Sequence, residues 1–196
     1  MKILLATHNR DKEKELQKSL EDTNVEICSL FDFPEIRDIE ETGKTLLENS
    51  LLKARTVFNI TGIPTIADDT GLEVDFLDGA PGVYSARYAG EKVSYQDNVN
   101  KLLLELDGVP YNKRTAKFRT VISYIDIKQE LWTEGHIDGI ISDNIRGDKG
   151  FGYDPVFFVP HIGKTFAELS SAQKNKISHR GIALQKLRKI LINVLK

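Results

Sequence analysis

The sequence predicts an α/β protein with a mixed sheet. Helical patterns alternate with short apolar strand patterns along the 196 residues. One long pair of segments rich in β-branched and aromatic residues is typical of an antiparallel hairpin, which adds antiparallel strands to the sheet. A chain of this length has room for a sizeable core, so we expect one domain over residues 1–196.

In chain order, the pattern predicts a strand, two helices, two strands, a third helix, the hairpin and a final helix. Thr45 and Glu48 form a capping box at the start of the second helix, and Gly62 marks its end. Ser94 is expected to cap the third helix. The expected segments are 2–6, a helix from Asp11, 45–62, 64–67, 72–77, 94–108, a hairpin of 116–127 with 130–137, and a helix from Ser178.

Charge and cysteine content exclude several classes of protein. The 27 basic residues nearly balance the 29 acidic ones, which gives no reason to expect nucleic acid or an anionic membrane as a partner. The single cysteine, Cys28, cannot form an internal disulfide. The apolar run at residues 3–6 is too short for a signal peptide, and no other run approaches a membrane span. We therefore expect a cytoplasmic protein.

The stretch IADDTGLEVD places two adjacent carboxylates, Asp68 and Asp69, at the end of an apolar run. Desolvating a carboxylate is costly, so a partner is expected for each. Neighbouring side chains of a strand point to opposite faces, so one aspartate should face a cleft and the other should anchor a loop. The sequence leaves open which is which. The alternative is that both only cap a loop.

Acidic and basic residues elsewhere in the chain suggest what this cleft binds. The loop Thr7–Lys12 lies between the first strand and first helix, where backbone N–H groups and Lys12 can meet an anion. Glu41 precedes the second helix, and Lys53 lies inside it. Such a combination suits Mg²⁺ with a polyphosphate. Each feature alone is equally typical of a turn, a helix cap or a solvated charge.

Two later segments could recognise a flat base. In GDKGFGYDP, the glycines permit close backbone approach, and the rings of Phe151 and Tyr153 offer apolar faces. In KNKISHRG, His179 and Arg180 can donate hydrogen bonds to carbonyl or phosphate oxygens. The alternatives are a tight turn over the core, a structural histidine and a surface arginine.

These segments together resemble the inosine triphosphate pyrophosphatase family, also called the Ham1-like family. Five blocks occur in its order and at about its spacing, nearly end to end: ATHNRDK, EETGKTLLENSLLKA, IADDTGLEVDFLDGAPGVYSARYAG, GFGYDPVF and KNKISHRGIAL. The resemblance implies an elongated homodimeric α/β protein with a mixed sheet flanked by helices and two lobes around a central nucleotide cleft. It also implies Mg²⁺-dependent hydrolysis of ITP, dITP and XTP to the monophosphate and pyrophosphate, which cleanses the nucleotide pool.

The resemblance assigns roles residue by residue. It places the metal on Glu41 and Asp69, with Asp69 also the proton acceptor, and sets Lys12 and Lys53 against the triphosphate. Mg²⁺ is the expected ion, and the sequence does not separate it from Mn²⁺. Many members of the family have serine where this chain has Thr70, so the hydroxyl is kept. The implied substrate contacts are Thr7, His8, Asn9, Arg10, Asp11, Lys12, Thr70, Phe151, Gly152, Tyr153, Asp154, Lys174, His179 and Arg180.

Two other functions fit the same residues. One is a pyrophosphatase for other altered nucleotides, including modified pyrimidines. The other is a nucleotide-binding sensor without turnover, since a fold alone never proves a reaction. A single-stranded nucleic-acid binder is disfavoured, because the basic residues are dispersed among acidic ones.

Overall fold

The computed structural model describes residues 2–21 and 25–194. In these residues eight strands form one sheet: β1 Lys2–Leu5, β2 Glu26–Ser29, β3 Thr65–Val74, β4 Pro81–Gly82, β5 Thr115–Ile125, β6 Glu130–Ile141, β7 Phe157–Val159 and β8 Lys164–Thr165. The strand order is β2-β1-β3-β5-β6-β7-β8, and β4 pairs with β3. β1 is parallel to both β2 and β3, whereas β3–β4, β6–β7 and β7–β8 are antiparallel. The predicted mixed sheet is confirmed.

The helices are α1 Arg10–Leu20, α2 Leu46–Thr61, α3 Tyr95–Glu105, α4 Ser171–Ile177 and α5 His179–Val194. The predicted caps of α2 are confirmed. Thr45 and Glu48 form a capping box, and Gly62 ends the helix with φ 67°, in the left-handed region that glycine tolerates. Ser94 caps α3 through the backbone N–H of Asp97, as expected. The chain adds the short helix α4, which ends at Ser178 just before α5 begins.

The long hairpin is β5 with β6, joined by residues 126–129. The carboxylate of Asp126 accepts hydrogen bonds from the backbone N–H groups of Lys128 and Gln129, which closes the turn. Because neighbouring parallel strands need a crossover of a dozen or more residues, this short connection makes the pair antiparallel. The prediction of a hairpin is confirmed.

The predicted break between the strands at 64–67 and 72–77 is wrong. β3 runs without interruption from Thr65 to Val74, and residues 75–77 form a turn of 3-10 helix. The two aspartates therefore belong to the strand and not to a loop after it. Their charges are compensated by residues that are distant in sequence, which a local pattern cannot reveal.

The chain divides into two compact units. The first comprises the described parts of Met1–Asp69, Thr120–Gly135 and Arg180–Lys196, and the second comprises Thr70–Arg119 and His136–His179. Within residues 2–21 and 25–194, no helix is both long and apolar enough to cross a membrane. The expected single domain, elongated shape and central cleft stay predictions.

In the first unit, β1 and the start of β3 are buried on both faces. Ile3, Leu5 and Ile66 pack in a cluster with side chains of α1 and α5, such as Leu16 and Leu187. The alternate residues of the same strands pack on α2: Leu4 and Ala67 lie in a cluster with Ala54 and Val57. Each buried leucine contributes about 1.5–3 kcal/mol to stability. Because side chains alternate along a strand, this arrangement sets the directions of the two aspartates that follow.

The second unit has a core of its own. Residues of α3 and β5, such as Leu102 and Phe118, pack with Phe157 and Phe166. The three phenylalanine rings are in direct contact, with centroids 4.6–6.0 Å apart. This aromatic core lies beneath the glycine-rich segment that the sequence analysis singled out.

Candidate functional site

Asp68 and Asp69 point to opposite faces of β3, as the alternation along the strand requires. Asp68 continues the row of Ile66, on the side of α1 and α5, and Asp69 continues the row of Ala67, on the side of α2. Both side chains are buried, with 2% and 5% of their surface exposed. Each must therefore be compensated on its own side of the sheet.

Asp68 is held by two cations. Its Oδ2 lies 3.2 Å from Lys12 Nζ on α1 and 3.3 Å from Arg180 Nε on α5. Arg180 also bonds the carboxylate of Glu15 at 2.5 Å. Burial alone would raise the pKa of Asp68, but Lys12, Arg180 and Lys53 outweigh that effect and hold the pKa well below its usual range. Asp68 is therefore charged and ties the two helices to the strand.

Asp69 has different electrostatic surroundings from Asp68, because its carboxylate and that of Glu41 both contact the ammonium group of Lys53. Lys53 Nζ lies 2.6 Å from Glu41 Oε1 and 3.6 Å from Asp69 Oδ1. Burial raises the pKa of Asp69, and the opposing attraction of Lys53 is partly offset by repulsion from Glu41, so the pKa stays above its usual value. Burial alone would lower the pKa of Lys53, but Asp69, Glu41 and Asp68 raise it. The structure thus brings Glu41, Lys53 and Asp69 together.

Asn49 joins this group and was missed by the sequence analysis. It is fully buried on α2, and its Nδ2 donates to Asp69 Oδ2 at 3.1 Å. Its Oδ1 accepts from the backbone N–H of Gly43 at 2.7 Å. A signal existed in the sequence: Asn49 and Lys53 are polar residues one turn apart that fall on the buried stripe of α2.

The loop before α1 uses its own side chains to satisfy the end of the helix. Asn9 caps α1, because its Oδ1 accepts from the backbone N–H groups of Asp11 and Lys12. Thr7 Oγ1 in turn accepts from the backbone N–H of Asn9. The expectation that backbone N–H groups of this loop face an anion is therefore wrong for residues 11 and 12, whose N–H groups are bonded to Asn9.

Lys12 points from this loop toward β3. Burial, together with repulsion from Lys53 and Arg180, lowers the pKa of Lys12 despite the attraction of Asp68 and Asp69. Charge on Lys12 is thus less favourable in the ligand-free protein than on a solvated lysine. A polyanion next to it would relieve that cost.

His8 and Arg10, both implied substrate contacts, are engaged by the segment that leads to Glu41. His8 Nδ1 lies 2.7 Å from Asp38 Oδ1. The guanidinium carbon of Arg10 lies 3.3 Å from the centroid of the Phe31 ring. The implied roles of Thr7, His8, Asn9, Arg10 and Asp11 as substrate contacts stay predictions.

A second polar group lies in the second unit, around Asp154. Lys174 Nζ donates to Asp154 Oδ2 at 2.7 Å, and both side chains are buried. The same Oδ2 accepts from the backbone N–H of Phe151 at 2.9 Å. A Cβ at Gly150 would lie 2.0 Å from this oxygen, so only glycine fits there. Lys174 Nζ also lies 4.7 Å from the centroid of the Phe151 ring, in the range of a cation–π contact.

The rings of this segment differ in exposure. Phe151 is half-buried, and its ring contacts that of Tyr95, which begins α3 and was not foreseen. Tyr153 has only 4% of its surface exposed and donates its hydroxyl to the carbonyl of Ser85. The expectation of an open apolar face at Tyr153 is therefore wrong, because the ring lies in the core.

His179 is also buried, with its ring stacked on Phe118 at a centroid distance of 4.5 Å. This is the surrounding of a structural histidine, the alternative that the sequence left open. Thr70 follows Asp69 on β3 and is half-buried. The roles of Thr70, Gly152, Lys174, His179 and Arg180 in binding substrate stay predictions.

A divalent ion suits the donor set of the first unit. Within residues 2–21 and 25–194, no three histidine, cysteine or acidic side chains form a cluster that could hold a metal by themselves. Glu41 and Asp69 nevertheless supply two adjacent carboxylates for one shared ammonium. Mg²⁺ takes one or two carboxylates and leaves its other positions to water and phosphate oxygens, so these residues fit it.

Known proteins resemble this chain along nearly its whole length. The model of the Ham1 family matches residues 3–190. A dITP/XTP pyrophosphatase of Thermoanaerobacter sp. (strain X514) is 51% identical over 192 residues, which cover 98% of this chain and 97% of that protein. A dITP/XTP pyrophosphatase of Listeria monocytogenes is 47% identical over 194 residues, covering 98% and 96%.

Solved structures agree with this assignment. A HAM1 protein from Coxiella burnetii superposes with a TM-score of 0.90 at 40% identity, covering 98% of this chain and 99% of that one. The Ham1 protein of Staphylococcus aureus superposes with a TM-score of 0.89 at 39% identity, with the same coverage. Both carry the same mixed α/β fold. The chain belongs to the Ham1 family.

Proposed function

We propose that this protein hydrolyses the non-standard purine nucleoside triphosphates ITP, dITP and XTP to the monophosphate and pyrophosphate. The observation that carries the proposal is the group of Glu41, Lys53 and Asp69, in which Lys53 Nζ lies 2.6 Å from Glu41 Oε1 and 3.6 Å from Asp69 Oδ1. Relatives about 50% identical over the whole chain are named dITP/XTP pyrophosphatases, which supports the substrate class.

Glu41 and Asp69 would hold Mg²⁺, with Mn²⁺ able to take its place. Mg²⁺ bound there lowers the pKa of a coordinated water and neutralises phosphate charge. Lys53 stays beside both carboxylates and adds positive charge next to the phosphates. Lys12, whose lowered pKa reflects a costly buried charge, gains a favourable partner when a phosphate arrives. Transfer of this kind depends mainly on positioning and charge neutralisation, which these four side chains supply.

Asp69 acts as the proton acceptor. Water attacks the α-phosphorus, a new P–O bond forms, and the bond from the α-phosphorus to the bridging oxygen of pyrophosphate breaks. The proton of the water passes to the carboxylate of Asp69. Burial raises the pKa of Asp69 in the ligand-free protein.

Selectivity for the base would come from hydrogen-bond donors in residues 174–180. A 6-keto purine accepts hydrogen bonds where adenine donates. Lys174, His179 and Arg180 are candidates to donate to that oxygen, because each carries an N–H donor. A mismatched base leaves buried donors unpaired, which is the kind of mismatch that binding discriminates best.

The test is to incubate the protein with ITP and Mg²⁺ and identify the products by phosphorus NMR. IMP with pyrophosphate is expected, and IDP with phosphate would overturn the proposed cleavage. ATP and GTP should react much more slowly, and equal rates would overturn the selectivity. Preferred hydrolysis of modified pyrimidine triphosphates in a substrate panel would indicate the related pyrophosphatase instead. Nucleotide binding without any product would indicate a sensor.

We further propose that the protein is a homodimer that works in the cytoplasm. Several large side chains of the second unit are exposed, among them Tyr84 at 60% and Leu104 at 75%, and such residues are typical of interfaces. Cys28 is a buried free thiol, in keeping with a reducing compartment. Sedimentation equilibrium should give twice the mass of the 22.1 kDa chain, and the chain mass alone would contradict the dimer.

A further inference from the structure

Asn49 makes two hydrogen bonds that join separate parts of the proposed metal site. It lies on α2, one helical turn before Lys53, and is fully buried. Its Nδ2 donates to Asp69 Oδ2, and its Oδ1 accepts from the backbone N–H of Gly43, two residues after Glu41. A single side chain thus bonds the strand that carries one carboxylate and the segment that carries the other.

We propose that Asn49 is a positioning residue that fixes Glu41 and Asp69 at the spacing that a divalent cation requires. This inference rests on the proposed function, because it takes those two carboxylates as the metal ligands. Groups that orient ligating side chains commonly change metal affinity or activity about 10–100-fold when they are removed.

The chemistry of the carboxamide explains why asparagine is needed. The acceptor end of the side chain is occupied by the N–H of Gly43, so the donor end must face Asp69. That bond occupies Oδ2 of Asp69 and leaves Oδ1 on the side of Lys53. The carboxylate is therefore fixed in rotation. An aspartate at position 49 would have no donor to offer, and an alanine would make neither bond.

The contact between Gly43 and Asn49 requires a residue without a side chain at position 43. A Cβ at residue 43 would lie 2.6 Å from Asn49 Oδ1, 2.7 Å from Glu48 Cβ and 3.0 Å from Asn49 N. No side chain at position 43 is compatible with the observed contact. The steric fit at Gly43 therefore supports the same link from the other side.

The neighbouring residue provides a matched control. Ser50 is also fully buried on α2, where its Oγ donates to the carbonyl of Ala67 at 3.0 Å and lies 2.6 Å from Ser123 Oγ. Ser50→Ala removes the buried hydrogen bonds of this helix to Ala67 and Ser123 and leaves the contacts of both carboxylates in place. Loss of structure alone should thus affect Ser50→Ala and Asn49→Ala alike.

The experiment measures binding of Mn²⁺ alone, by electron paramagnetic resonance, to the full chain without nucleotide. Asn49→Ala should raise the dissociation constant about 10–100-fold, and Ser50→Ala should leave it within about two-fold. Equal constants for wild type and Asn49→Ala, equal increases in both variants, or no Mn²⁺ binding by the wild type would each overturn the proposal.

Gly43→Ala is the second variant, chosen because residue 43 is half-buried outside the core clusters and its added methyl group would displace Asn49 Oδ1. It should weaken Mn²⁺ binding in the same direction as Asn49→Ala, and an unchanged constant would overturn the proposal even if Asn49→Ala failed to fold. ITP hydrolysis is measured separately. A wild type that binds Mn²⁺ but cleaves no triphosphate would refute the proposed function. The Mn²⁺ dissociation constants of Asn49→Ala and Ser50→Ala would still test the role of Asn49.

Discussion

Asp68 and Asp69 are neighbours on one strand and have opposite electrostatic surroundings. On one side of β3, Lys12 and Arg180 both contact Asp68, and the pKa of Asp68 is depressed. On the other side, Glu41 and Asp69 both contact Lys53, and burial raises the pKa of Asp69 despite the attraction of that ammonium group. The difference separates two tasks. Asp68 stabilises the fold, and Asp69 is the carboxylate that we propose binds the metal ion.

This contrast follows from the alternation of side chains along the strand. Asp68 faces the helices that supply Lys12 and Arg180, whereas Asp69 faces α2, which supplies Lys53 and Asn49. A strand in the sheet can thus hold a structural charge and a reactive charge at successive positions. Substitutions on the two sides should therefore affect different properties.

The largest expected effect is on activity, at Asp69. Asp69→Asn removes the proton acceptor and one proposed metal ligand, so kcat for ITP should fall about 10²–10⁴-fold. The free energy of unfolding should stay within about 1 kcal/mol or rise, because the cost of desolvating a buried carboxylate has been removed. Steady-state kinetics and urea denaturation measure the two. The exposed Asp138→Asn is the control, and kcat within about ten-fold of wild type would contradict the role of Asp69.

The next effect is on stability, at Asp68. Asp68→Asn removes the carboxylate that contacts buried Lys12 and one of the two carboxylates that contact Arg180. Breaking a buried ion pair from one side costs about 3–5 kcal/mol, so the urea midpoint should fall sharply. A loss no larger than that of Asp69→Asn would mean that the two aspartates do not differ as described.

A smaller effect concerns the competition between Lys53 and a divalent ion. Lys53→Met removes the ammonium that occupies Glu41 and Asp69, so Mn²⁺ should bind the ligand-free protein about ten-fold more tightly, a gain of about 1.4 kcal/mol. Lys12→Met should change the constant by less than about three-fold, because Lys12 lies 3.2 Å from Asp68 on the other side of the strand. Equal tightening by both substitutions, measured by calorimetry, would contradict the separation of the two sides.

The smallest effect is on how stability depends on pH. Asp68 has a depressed pKa in the folded protein, so its stabilisation is present above the unfolded value of about 3.8 and is lost as pH falls below it. Asp69 has a raised pKa, so the destabilisation it causes is present above its folded pKa and disappears as pH falls through it.

Urea denaturation from about pH 7 down to about pH 3 separates these contributions. The stability that Asp69→Asn gains over wild type should shrink first as pH falls. The stability that Asp68→Asn loses should persist until pH is below about 4. If both differences fade over the same pH range, the opposite pKa shifts of the two aspartates are wrong.

Local signals in the sequence were enough to predict much of the fold. The capping residues Thr45, Gly62 and Ser94 act on their own helix ends, so their meaning does not depend on distant contacts. The hairpin is equally local, since its two strands are joined by a short turn. Glu41, Lys53 and Asp69 were identified through motif resemblance, and the structure brings them together.

The misses have a shared cause in contacts between distant parts of the chain. β3 continues through Asp68 because Lys12 and Arg180, 56 and 112 residues away in sequence, compensate its charge. The role of Asn49 depends on its contacts with Gly43 and Asp69, which a local sequence pattern does not predict. The core position of Tyr153 likewise depends on its bond to Ser85, which no spacing in the sequence predicts.

Because Asn49 and Lys53 lie on one helix, we expect insertions and deletions between them to be selected against. Residues four apart on an α-helix stay on one side, whereas a single inserted or deleted residue between them turns the second by about 100°. Such an indel would carry Lys53 away from both carboxylates. The irregular residues 33–40 ahead of Glu41 have no such periodic constraint, so natural length differences among relatives should accumulate there and be absent between positions 49 and 53.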